Sequence, residues 1–479
     1  MAVTKNLLLV RIFSLLFTAV LSLSSPYSFD TLDVPSSIQK TLDVLSFTTH
    51  QSEAATSSSS SSSSSPSLPL HPRDSLFQPQ HKDYRSLTLS RLARDSARVD
   101  SLNLRLQLAL DNVNNSGQTV VQPEVLSSPV VPGTGEGSGQ YYTRVGIGSP
   151  VKKFYMVIDT GSDVNWLQCK PCSSCYPQSD PIFNPSKSTS YSPLSCNTST
   201  CRSLDSHGCR KGTCQFKVSY ADESRAVGEF ATETVSFGRS GKVNNVAIGC
   251  GRDNKGLFFG AAGLFGLGRG SLSLPAQIKA TSFSYCLVNH DSRSWSTLDF
   301  NSSMGANSVR GPLIKNKNPI LDTLYYVGMS GMSVGGKPVS IPTSVFQIDD
   351  SGRGGIIVDT GTTISRLPAS AYKSLRDAFA KHTKDLPSAT GPSPLDTCYN
   401  LTSFKSVKFP TVSFDFSNGK SVSLPLTNYL LPVDSEGTFC FAFAPMKGIL
   451  SIIGDVQMQG ARLSFDLKNS VIGFERNSC

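Results

Sequence analysis

The chain has 479 residues, a formal net charge of +9 and 12 cysteines. This length exceeds one ordinary hydrophobic core, so we expect two packed units with flanking segments. The basic residues occur singly, without runs or interleaved aromatic residues, which argues against nucleic acid as a partner.

The first 25 residues combine a basic start at Lys5, an apolar stretch and small residues near Ser25. This pattern predicts a signal peptide. A permanent membrane anchor is the alternative, and it is disfavoured because the uncharged part after Arg11 is shorter than the ~20 residues of a spanning helix. The sequence therefore predicts a protein of the secretory pathway without a stable membrane anchor.

Residues 26–135 differ from the rest of the chain, since they contain a nine-serine run at 57–65, a proline-rich patch and no cysteine. Such a composition predicts that this segment does not bury a core. One stretch within it keeps apolar residues at helical spacing with arginines between them, which predicts a single amphipathic helix. The apolar positions of this helix are Leu89, Leu92, Val99, Leu102, Leu106 and Leu110.

Two interpretations of residues 26–135 remain open. The segment is either a linker with a chance helix or a propeptide whose arginines approach an acidic active site until it is removed. Its position between a signal peptide and a cysteine-rich region favours the propeptide. Processing is then expected in the exposed-looking, Gly/Pro-rich stretch SSPVVPGTGEGSGQ at residues 127–140.

From Tyr141 onward, short alternating segments separated by Gly, Pro, Asn and Ser predict strands and turns, and with them an all-β fold. Examples are YYTRVGIGSP, KFYMVID and FATETVSFG. LPAQI and SAYKSLRDAFAKH predict helices, the second with Pro368 just ahead of its start. A polar stretch at 301–319 predicts the boundary between an N-terminal lobe, residues 136–315, and a C-terminal lobe, residues 316–479.

All twelve cysteines lie at or beyond Cys169. An even number in one part of a chain with a secretory signal predicts disulfides and an oxidising compartment. Cys169, Cys172 and Cys175 raise the alternative of zinc, but no histidine follows at ligand spacing. We therefore expect no metal and no other cofactor.

The two halves of this region repeat one pattern. In each half an apolar strand runs into Asp-Thr-Gly, at Asp159 and again at Asp359. A pair of apolar residues followed by glycine comes later in each half and ends at Gly266 and Gly454. The repetition predicts a duplicated lobe and an interface at which the two aspartates face each other.

Two facing aspartates have a definite chemistry. Their carboxylates cannot both ionise cheaply, so they share a proton. The ionised group can then take a proton from water, while the protonated group hydrogen-bonds the oxyanion that develops on a peptide carbonyl. One Asp-Thr-Gly alone is commonly an ordinary turn at a strand end, but two copies in matching contexts favour peptide hydrolysis.

The region resembles the pepsin-like aspartic proteases in the segments VIDTGSDVNWLQC, AGLFGLGRGSLSL, TSFSYCLV and SIIGDVQMQGARLSFDL, and HKDYRSLTLSRLARDS of the preceding segment also fits. Within that family it resembles the plant nucellin-like group, which includes nepenthesins, and the guard-cell aspartic proteases most of all. The resemblance implies a bilobal all-β fold of two β-barrel-like lobes with the active-site cleft between them. It also implies a monomeric zymogen that acts on protein or peptide substrates, in the plant apoplast or an endomembrane lumen such as the endoplasmic reticulum.

Specific roles follow from this resemblance. Asp159 and Asp359 would be catalytic, and Tyr220 would be the tyrosine of a hairpin flap over the cleft, although Ala221 and Glu223 replace the glycines that the flap of relatives usually carries. Trp166 would lie behind the flap. The supporting residues of the two loops would be Thr160, Gly161, Ser162, Thr360, Gly361 and Thr362, with Thr160 and Thr360 interlocking the loops.

The family pattern also implies six disulfides, whose connectivity the sequence alone cannot choose. They are Cys169–Cys172, Cys175–Cys250, Cys196–Cys214, Cys201–Cys209, Cys286–Cys479 and Cys398–Cys440. Sequons in polar, turn-like stretches predict glycans at Asn197, Asn301 and Asn400. The alternative function is a catalytically weak or inactive binding protein, since plants also use this fold for xylanase inhibitors.

Overall fold

The structure is a computed structural model, and it describes residues 27–45, 65–76, 81–114, 141–219, 224–256, 258, 260–476 and 478–479. The predicted signal peptide, most of the serine run and the predicted processing stretch lie outside the described residues. Within those residues, no helix combines the length and the apolar character needed to cross a membrane.

The part before residue 141 forms two strands and three helices among its described residues, and the longest helix is the one predicted from the leucine and arginine spacing. Their bounds are β1 Phe29–Asp33, α1 Val34–Leu45, β2 Ser67–Pro72, α2 Arg73–Leu76 and α3 Tyr84–Asn114.

The region from Tyr141 to about residue 300 is built from strands with two short helices. The strands are β3 Tyr141–Ile147, β4 Lys152–Asp159, β5 Trp166–Gln168, β6 Ser192–Pro193, β7 His207–Arg210, β8 Thr213–Ser219, β9 Arg225–Ser236, β10 Lys242–Lys255, β11 Gly263–Gly266, β12 Ser282–Cys286 and β13 Ser296–Phe300. The helices are α4 Ser199–Arg202 and α5 Leu274–Gln277.

The remainder of the chain is again mostly strand, and its longest helix begins immediately after Pro368 as predicted. The strands are β14 Val309–Ile314, β15 Tyr325–Val327, β16 Met329–Val334, β17 Lys337–Pro338, β18 Ile356–Val358, β19 Ser365–Pro368, β20 Ser388–Ala389, β21 Cys398–Asn400, β22 Ser406–Pro410, β23 Val412–Phe416, β24 Ser421–Ser423, β25 Leu430–Pro432, β26 Thr438–Phe441, β27 Phe443–Met446, β28 Ser451–Ile453, β29 Ala461–Asp466 and β30 Val471–Arg476. The helices are α6 Ala369–Ala380 and α7 Asp455–Met458.

The duplication predicted from the sequence is visible in the strand pairing. In the first lobe the strand that leads to Asp159 pairs in parallel with β11, and Gly266 lies opposite Asp159. In the second lobe β18, which leads to Asp359, pairs in parallel with β28, and the Asp359 N–H donates to Ile453 O at 3.1 Å. Each apolar-apolar-glycine element thus flanks its own Asp-Thr-Gly strand, and the all-β two-lobed fold is confirmed.

One sheet joins the two lobes, and the segment before residue 141 supplies one of its strands. Strand β2 pairs on one side with β3 and on the other with β13. The sheet continues from β13 through β12 and β29 to β30 and β14, which crosses from the first lobe to the second.

The expectation that residues 26–135 bury no core is therefore wrong. Leu32, Val34, Leu68 and Leu70 are all buried within the main hydrophobic cluster of the protein. These segments need no core of their own, because β2 adds to a sheet of the lobes, β1 pairs with β22, and their apolar side chains share the lobes' hydrophobic cluster. The predicted helix position Leu89 is exposed, whereas the other five predicted apolar positions are buried.

All twelve cysteines form disulfides, and two of the six predicted pairs are confirmed, Cys286–Cys479 and Cys398–Cys440. The other four predicted pairs are wrong. The structure forms Cys169–Cys250, Cys172–Cys175, Cys196–Cys209 and Cys201–Cys214.

Strand geometry accounts for these corrections. Cys169 follows β5, and β5 pairs in parallel with β10, which carries Cys250, so the Cα atoms of the two cysteines lie 5.3 Å apart. Cys201 and Cys214 are both fully buried and bond to each other, whereas Cys209 on the exposed face of the neighbouring hairpin bonds to Cys196. Burial rather than sequence order therefore sets these partners.

Peptide mapping under non-reducing conditions checks this connectivity. We expect cross-linked peptides that join Cys169 to Cys250 and Cys201 to Cys214, because the Cα atoms of these pairs lie 5.3 and 5.9 Å apart, within the 4.4–6.8 Å that a disulfide allows. A peptide that joins Cys175 to Cys250 would contradict the arrangement of β5 and β10.

Candidate active site

The two Asp-Thr-Gly turns meet between the lobes and are locked to each other. The Thr160 N–H donates to Thr360 Oγ1 at 3.2 Å, and the Thr360 N–H donates to Thr160 Oγ1 at 3.0 Å. All four residues, the two threonines and the two aspartates that precede them, are buried. The predicted interlock of the loops is thus present, and it fixes the two carboxylates in one place.

Each carboxylate has a hydroxyl donor three residues further along the chain. Ser162 Oγ donates to Asp159 Oδ2 at 2.7 Å, and Thr362 Oγ1 donates to Asp359 Oδ2 at 2.6 Å. The Gly161 N–H donates to Asp159 Oδ1 at 2.9 Å. These donors orient the carboxylates, because a hydrogen bond from a buried hydroxyl restricts the torsion of its acceptor group.

A guanidinium from the long helix α3 lies between the two carboxylates. Arg98 Nη2 donates to Asp159 Oδ1 and to Asp359 Oδ1, at 2.7 Å in each case. Arg98 Nε donates to Asp359 Oδ2 at 2.9 Å, and Arg98 Nη1 donates to Asp159 Oδ2 at 3.1 Å. Every oxygen of both carboxylates therefore accepts a hydrogen bond from this one side chain.

The glycines of the two turns make this approach possible. A Cβ atom on Gly161 would lie 2.2 Å from Arg98 Nη2, and one on Gly361 would lie 2.8 Å from Arg98 Nε. Real Cβ atoms do not approach nitrogen so closely, so any larger residue would displace the guanidinium. Gly161 also accepts through its carbonyl oxygen from Arg105 Nη1 at 2.7 Å.

The ion pairs between Arg98 and the two aspartates change the pKa values of Asp359 and Arg98. Burial by itself raises the pKa of Asp359, but the Arg98 charge and its hydrogen bonds outweigh burial and leave that pKa below its ordinary value of 3.8. Burial lowers the pKa of Arg98, and the two aspartates more than reverse this effect and raise it. The guanidinium is therefore permanently charged and holds Asp359 as a carboxylate.

A second residue of α3, Asp95, contacts the second lobe one helical turn before Arg98. Its Oδ1 accepts from the Thr363 N–H at 2.6 Å and from the Ile364 N–H at 3.1 Å. Its Oδ2 forms a buried ion pair with Arg366. Asp95 thus uses backbone donors that lie just beyond the second Asp-Thr-Gly turn.

Toward its start, α3 is held by a further buried ionic cluster. Arg91 donates through Nε to Asp74 at 2.8 Å and through Nη1 to Asp291 at 2.8 Å, and Tyr84 donates to Asp291 at 2.7 Å. Burial raises the pKa of Asp74, but Arg91, Arg94 and Arg73 lower it to about 2. Because Asp291 belongs to the first lobe, this cluster joins the start of α3 to that lobe.

The sequence predicts that arginines of the helix approach the acidic site, but it does not single out Arg98, Asp95 or Arg366. A signal for Asp95 and Arg98 was present, since opposite charges three residues apart in the middle of a helix lie on one face. No sequence signal identified Arg366, which reaches Asp95 only through the folding of the second lobe.

The flap prediction falls partly outside the described residues. Strands β8 and β9 form an antiparallel hairpin that pairs Ser219 with Arg225, and Tyr220, Ala221 and Glu223 lie at 220–223, beyond what the structure describes. Trp166 is fully buried and packs edge-to-face on Phe258, with ring centroids 4.9 Å apart.

The three sequon asparagines of the region after residue 141 are all exposed. At Asn400 the side-chain oxygen accepts from the N–H and the hydroxyl of Thr402, at 3.1 and 2.7 Å. At Asn301 it accepts from the N–H of Thr281 at 2.8 Å. Exposure makes Asn197, Asn301 and Asn400 accessible to modification, and their glycosylation stays a prediction.

A two-lobed β fold with interlocked Asp-Thr-Gly turns defines the pepsin-like class of proteins, and comparison with known sequences agrees. The family profile described as Xylanase inhibitor N-terminal matches residues 141–300, and Xylanase inhibitor C-terminal matches residues 324–476. Aspartyl protease family protein 2 of Arabidopsis thaliana is 49% identical over 399 residues, which cover 81% of this chain and 81% of that protein.

Two further relatives extend the agreement. Protein ASPARTIC PROTEASE IN GUARD CELL 2 of Arabidopsis thaliana is 41% identical over 456 residues, or 94% of each chain. Aspartic proteinase nepenthesin-2 of Nepenthes gracilis is 37% identical over 396 residues, which cover 81% of this chain and 85% of that protein. The chain therefore belongs to the plant group of the pepsin-like aspartic protease family.

Solved structures show the same fold at lower identity. Edgp aligns with a TM-score of 0.58 and 20% identity over 70% of this chain and 91% of that one. Basic 7S globulin from soybean aligns with a TM-score of 0.56 and 20% identity over 71% of this chain and 93% of that one. At this identity the likeness concerns the fold alone.

Acid is expected to release α3 from the aspartates. With the helix in place the pKa of Asp359 lies below 3.8, whereas without Arg98 two adjacent carboxylates raise one pKa above the ordinary value. Opening therefore takes up a proton. The stabilisation of the closed form is complete above the raised pKa of the open pair and is lost as the pH falls toward the lowered pKa of Asp359.

Hydrogen exchange of α3 between pH 7 and pH 3 measures this opening. Between the raised pKa of the open pair and the lowered pKa of Asp359, we expect the opening constant to rise by about tenfold for each unit that the pH falls, since about one proton is bound on opening. Arg98→Gln should open more at pH 7 and depend less on pH. Arg85→Gln is the matched control: Arg85 lies on the same helix, its side chain is 46% exposed and it pairs with Asp434 at 3.7 Å instead of with the two aspartates, so this variant should keep the pH dependence of the parent. Identical pH profiles for Arg98→Gln and the parent would contradict the ionic lock.

Proposed function

We propose that this protein is an aspartic endopeptidase made as a zymogen, in which Asp159 and Asp359 activate water for attack on a peptide bond. The observation that carries the proposal is the convergence of the two aspartates in interlocked, equivalent turns, each with its own hydroxyl donor. Membership of the aspartic protease family supports the same reaction.

In the proposed mechanism Arg98 departs, and the two carboxylates take up one proton from the solvent and share it. The ionised aspartate accepts a proton from water, and the oxygen of that water attacks the peptide carbonyl. The protonated aspartate donates a hydrogen bond to the oxyanion that forms, and the leaving nitrogen takes up a proton as the C–N bond breaks. The donors Ser162 and Thr362 keep the carboxylates oriented throughout.

The segment at 26–135 is proposed to be the propeptide, with the N-terminal lobe at 136–315 and the C-terminal lobe at 316–479. Arg98 supports this proposal, because it uses all four carboxylate oxygens that the reaction requires. A water molecule cannot occupy the same space as the guanidinium. The unprocessed chain should therefore be inactive until α3 leaves.

A pepsin-fold binding or inhibitor protein is the alternative function, and the names of the two matching profiles favour considering it. Catalytic elements tend to be lost in such proteins. Here both aspartates, both interlocking threonines and both hydroxyl donors are present, so hydrolysis is the better supported function. We also propose that the protein is a monomer that acts on protein or peptide substrates. Its proposed location is extracellular or in an endomembrane lumen, because six disulfides fit an oxidising compartment.

Substitution of either aspartate tests the proposed reaction. Asp159→Asn and Asp359→Asn should each lower the turnover of a denatured protein at acid pH by about a thousandfold, because an amide cannot hold the shared proton. Processing by an added sequence-specific protease, with its site placed at 127–140, avoids any need for self-cleavage.

Asp350→Asn is the control substitution for this experiment. Its side chain is 97% exposed and pairs only with the exposed Lys317 among the described residues, so activity should not change. Thermal unfolding of all three variants reports on folding. Either active-site variant with more than a tenth of the parent's turnover would contradict the assignment, as would turnover that a statine-type inhibitor fails to block.

A further inference from the structure

The first described segment of the chain packs on the C-terminal lobe at β22. Residues 27–45, here called the arm, comprise strand β1 and helix α1. Strand β1 pairs antiparallel with β22, from Phe29 opposite Pro410 to Asp33 opposite Ser406. Among the described residues β22 pairs with no other strand, so the arm and β22 form a two-stranded sheet in which the arm supplies the partner of β22.

Apolar side chains of the arm enter the core of the lobe. Leu32 is 5% exposed and Val34 is 1% exposed, and both belong to the same cluster as Val407 and Phe409 of the lobe. Neighbouring positions of β1 face outward, since Thr31 and Asp33 are exposed. The arm thus presents the alternating pattern that an added edge strand requires.

Polar and aromatic contacts fix the position of the arm at both of its ends. The rings of Tyr27 and Phe29 pack on His382, with centroid distances of 4.6 and 5.8 Å. Tyr429 donates to Asp30 Oδ2 at 2.8 Å, and Thr41 donates to Ser435 Oγ at 2.9 Å. These contacts extend over both β1 and α1, so the whole arm binds to the lobe.

The charges of the two partners are complementary. The arm contains three aspartates and one lysine, whereas β22 and the residue before it contribute Lys408 and Lys405 and no acidic residue. The backbone of Lys405 also takes part, since its carbonyl accepts from the Val34 N–H at 3.1 Å.

We propose that the edge of β22 is a binding site for an extended peptide that is separate from the catalytic cleft, and that its occupant is the arm itself. Helix α1 packs against α3, so the bound arm also braces the helix that carries Arg98. A cut between the arm and the first lobe would then leave the arm bound. The effect of the bound arm on α3, and so on activation, rests on the proposed zymogen function. The binding of the arm to the lobe does not rest on it.

The arm is tested on the full-length chain at neutral pH, with a site for a sequence-specific protease inserted within residues 51–64. After the cut, gel filtration and intact mass follow the fraction of the arm that stays with the rest of the protein. We expect the arm to remain bound and to exchange slowly with an isotopically labelled synthetic peptide of residues 27–45. Immediate loss of the arm with no uptake of the peptide would overturn the proposal.

Substituted peptides test the contacts without altering the protein. A peptide with Leu32→Asp should compete at least about tenfold more weakly than the unsubstituted peptide, because it places a charge in a buried apolar position. A peptide with Leu42→Asp should compete within about twofold, since Leu42 is 48% exposed. Equal competition by the two substituted peptides would show non-specific binding and would overturn the site. This experiment measures peptide binding and not proteolysis, so a negative result would contradict the proposed binding site without bearing on the proposed enzymatic activity.

Discussion

The bridge from Arg98 to Asp159 and Asp359 is the interaction on which the described structure depends. Two carboxylates held this close by locked turns repel each other unless a proton or a cation lies between them. In this chain a guanidinium supplies that charge, and its planar set of donors matches both carboxylates at once. The length of α3, its course across the cleft and the glycines of both turns all serve this one contact.

The other contacts of the segment before residue 141 attach it to both lobes. The cluster of Arg91 joins α3 to the first lobe, Asp95 joins it to the second, and the arm pairs with β22 of the second lobe. Because ion pairs respond to acid and apolar contacts do not, these attachments differ in their dependence on pH. Loss of the bridge at the aspartates need not detach the arm.

Much of the architecture could be predicted from local patterns. The two Asp-Thr-Gly repeats, the alternating strands and the helix after Pro368 each carry their signal within a few residues, and the structure contains all of them. The predictions that were wrong concerned features that depend on contacts between residues far apart in the sequence. Four predicted disulfides were wrong because burial and strand pairing set the partners, and β1 and β2 are strands because β22, β3 and β13 of the lobes pair with them.

The position of β2 in the sheet that joins the lobes has a consequence for any processing that removes the segment before residue 141. Leu68 and Leu70 are buried in the main hydrophobic cluster, and β2 pairs with Ser296–Asp299 of β13 on one side and with Tyr141–Thr143 of β3 on the other. Taking this strand away would leave a gap one strand wide, with backbone donors and acceptors open on either side. The segment is therefore part of the framework as well as a cover for the cleft. The proposed removal of this segment would therefore require a rearrangement in which another part of the chain fills the gap or β3 and β13 close it.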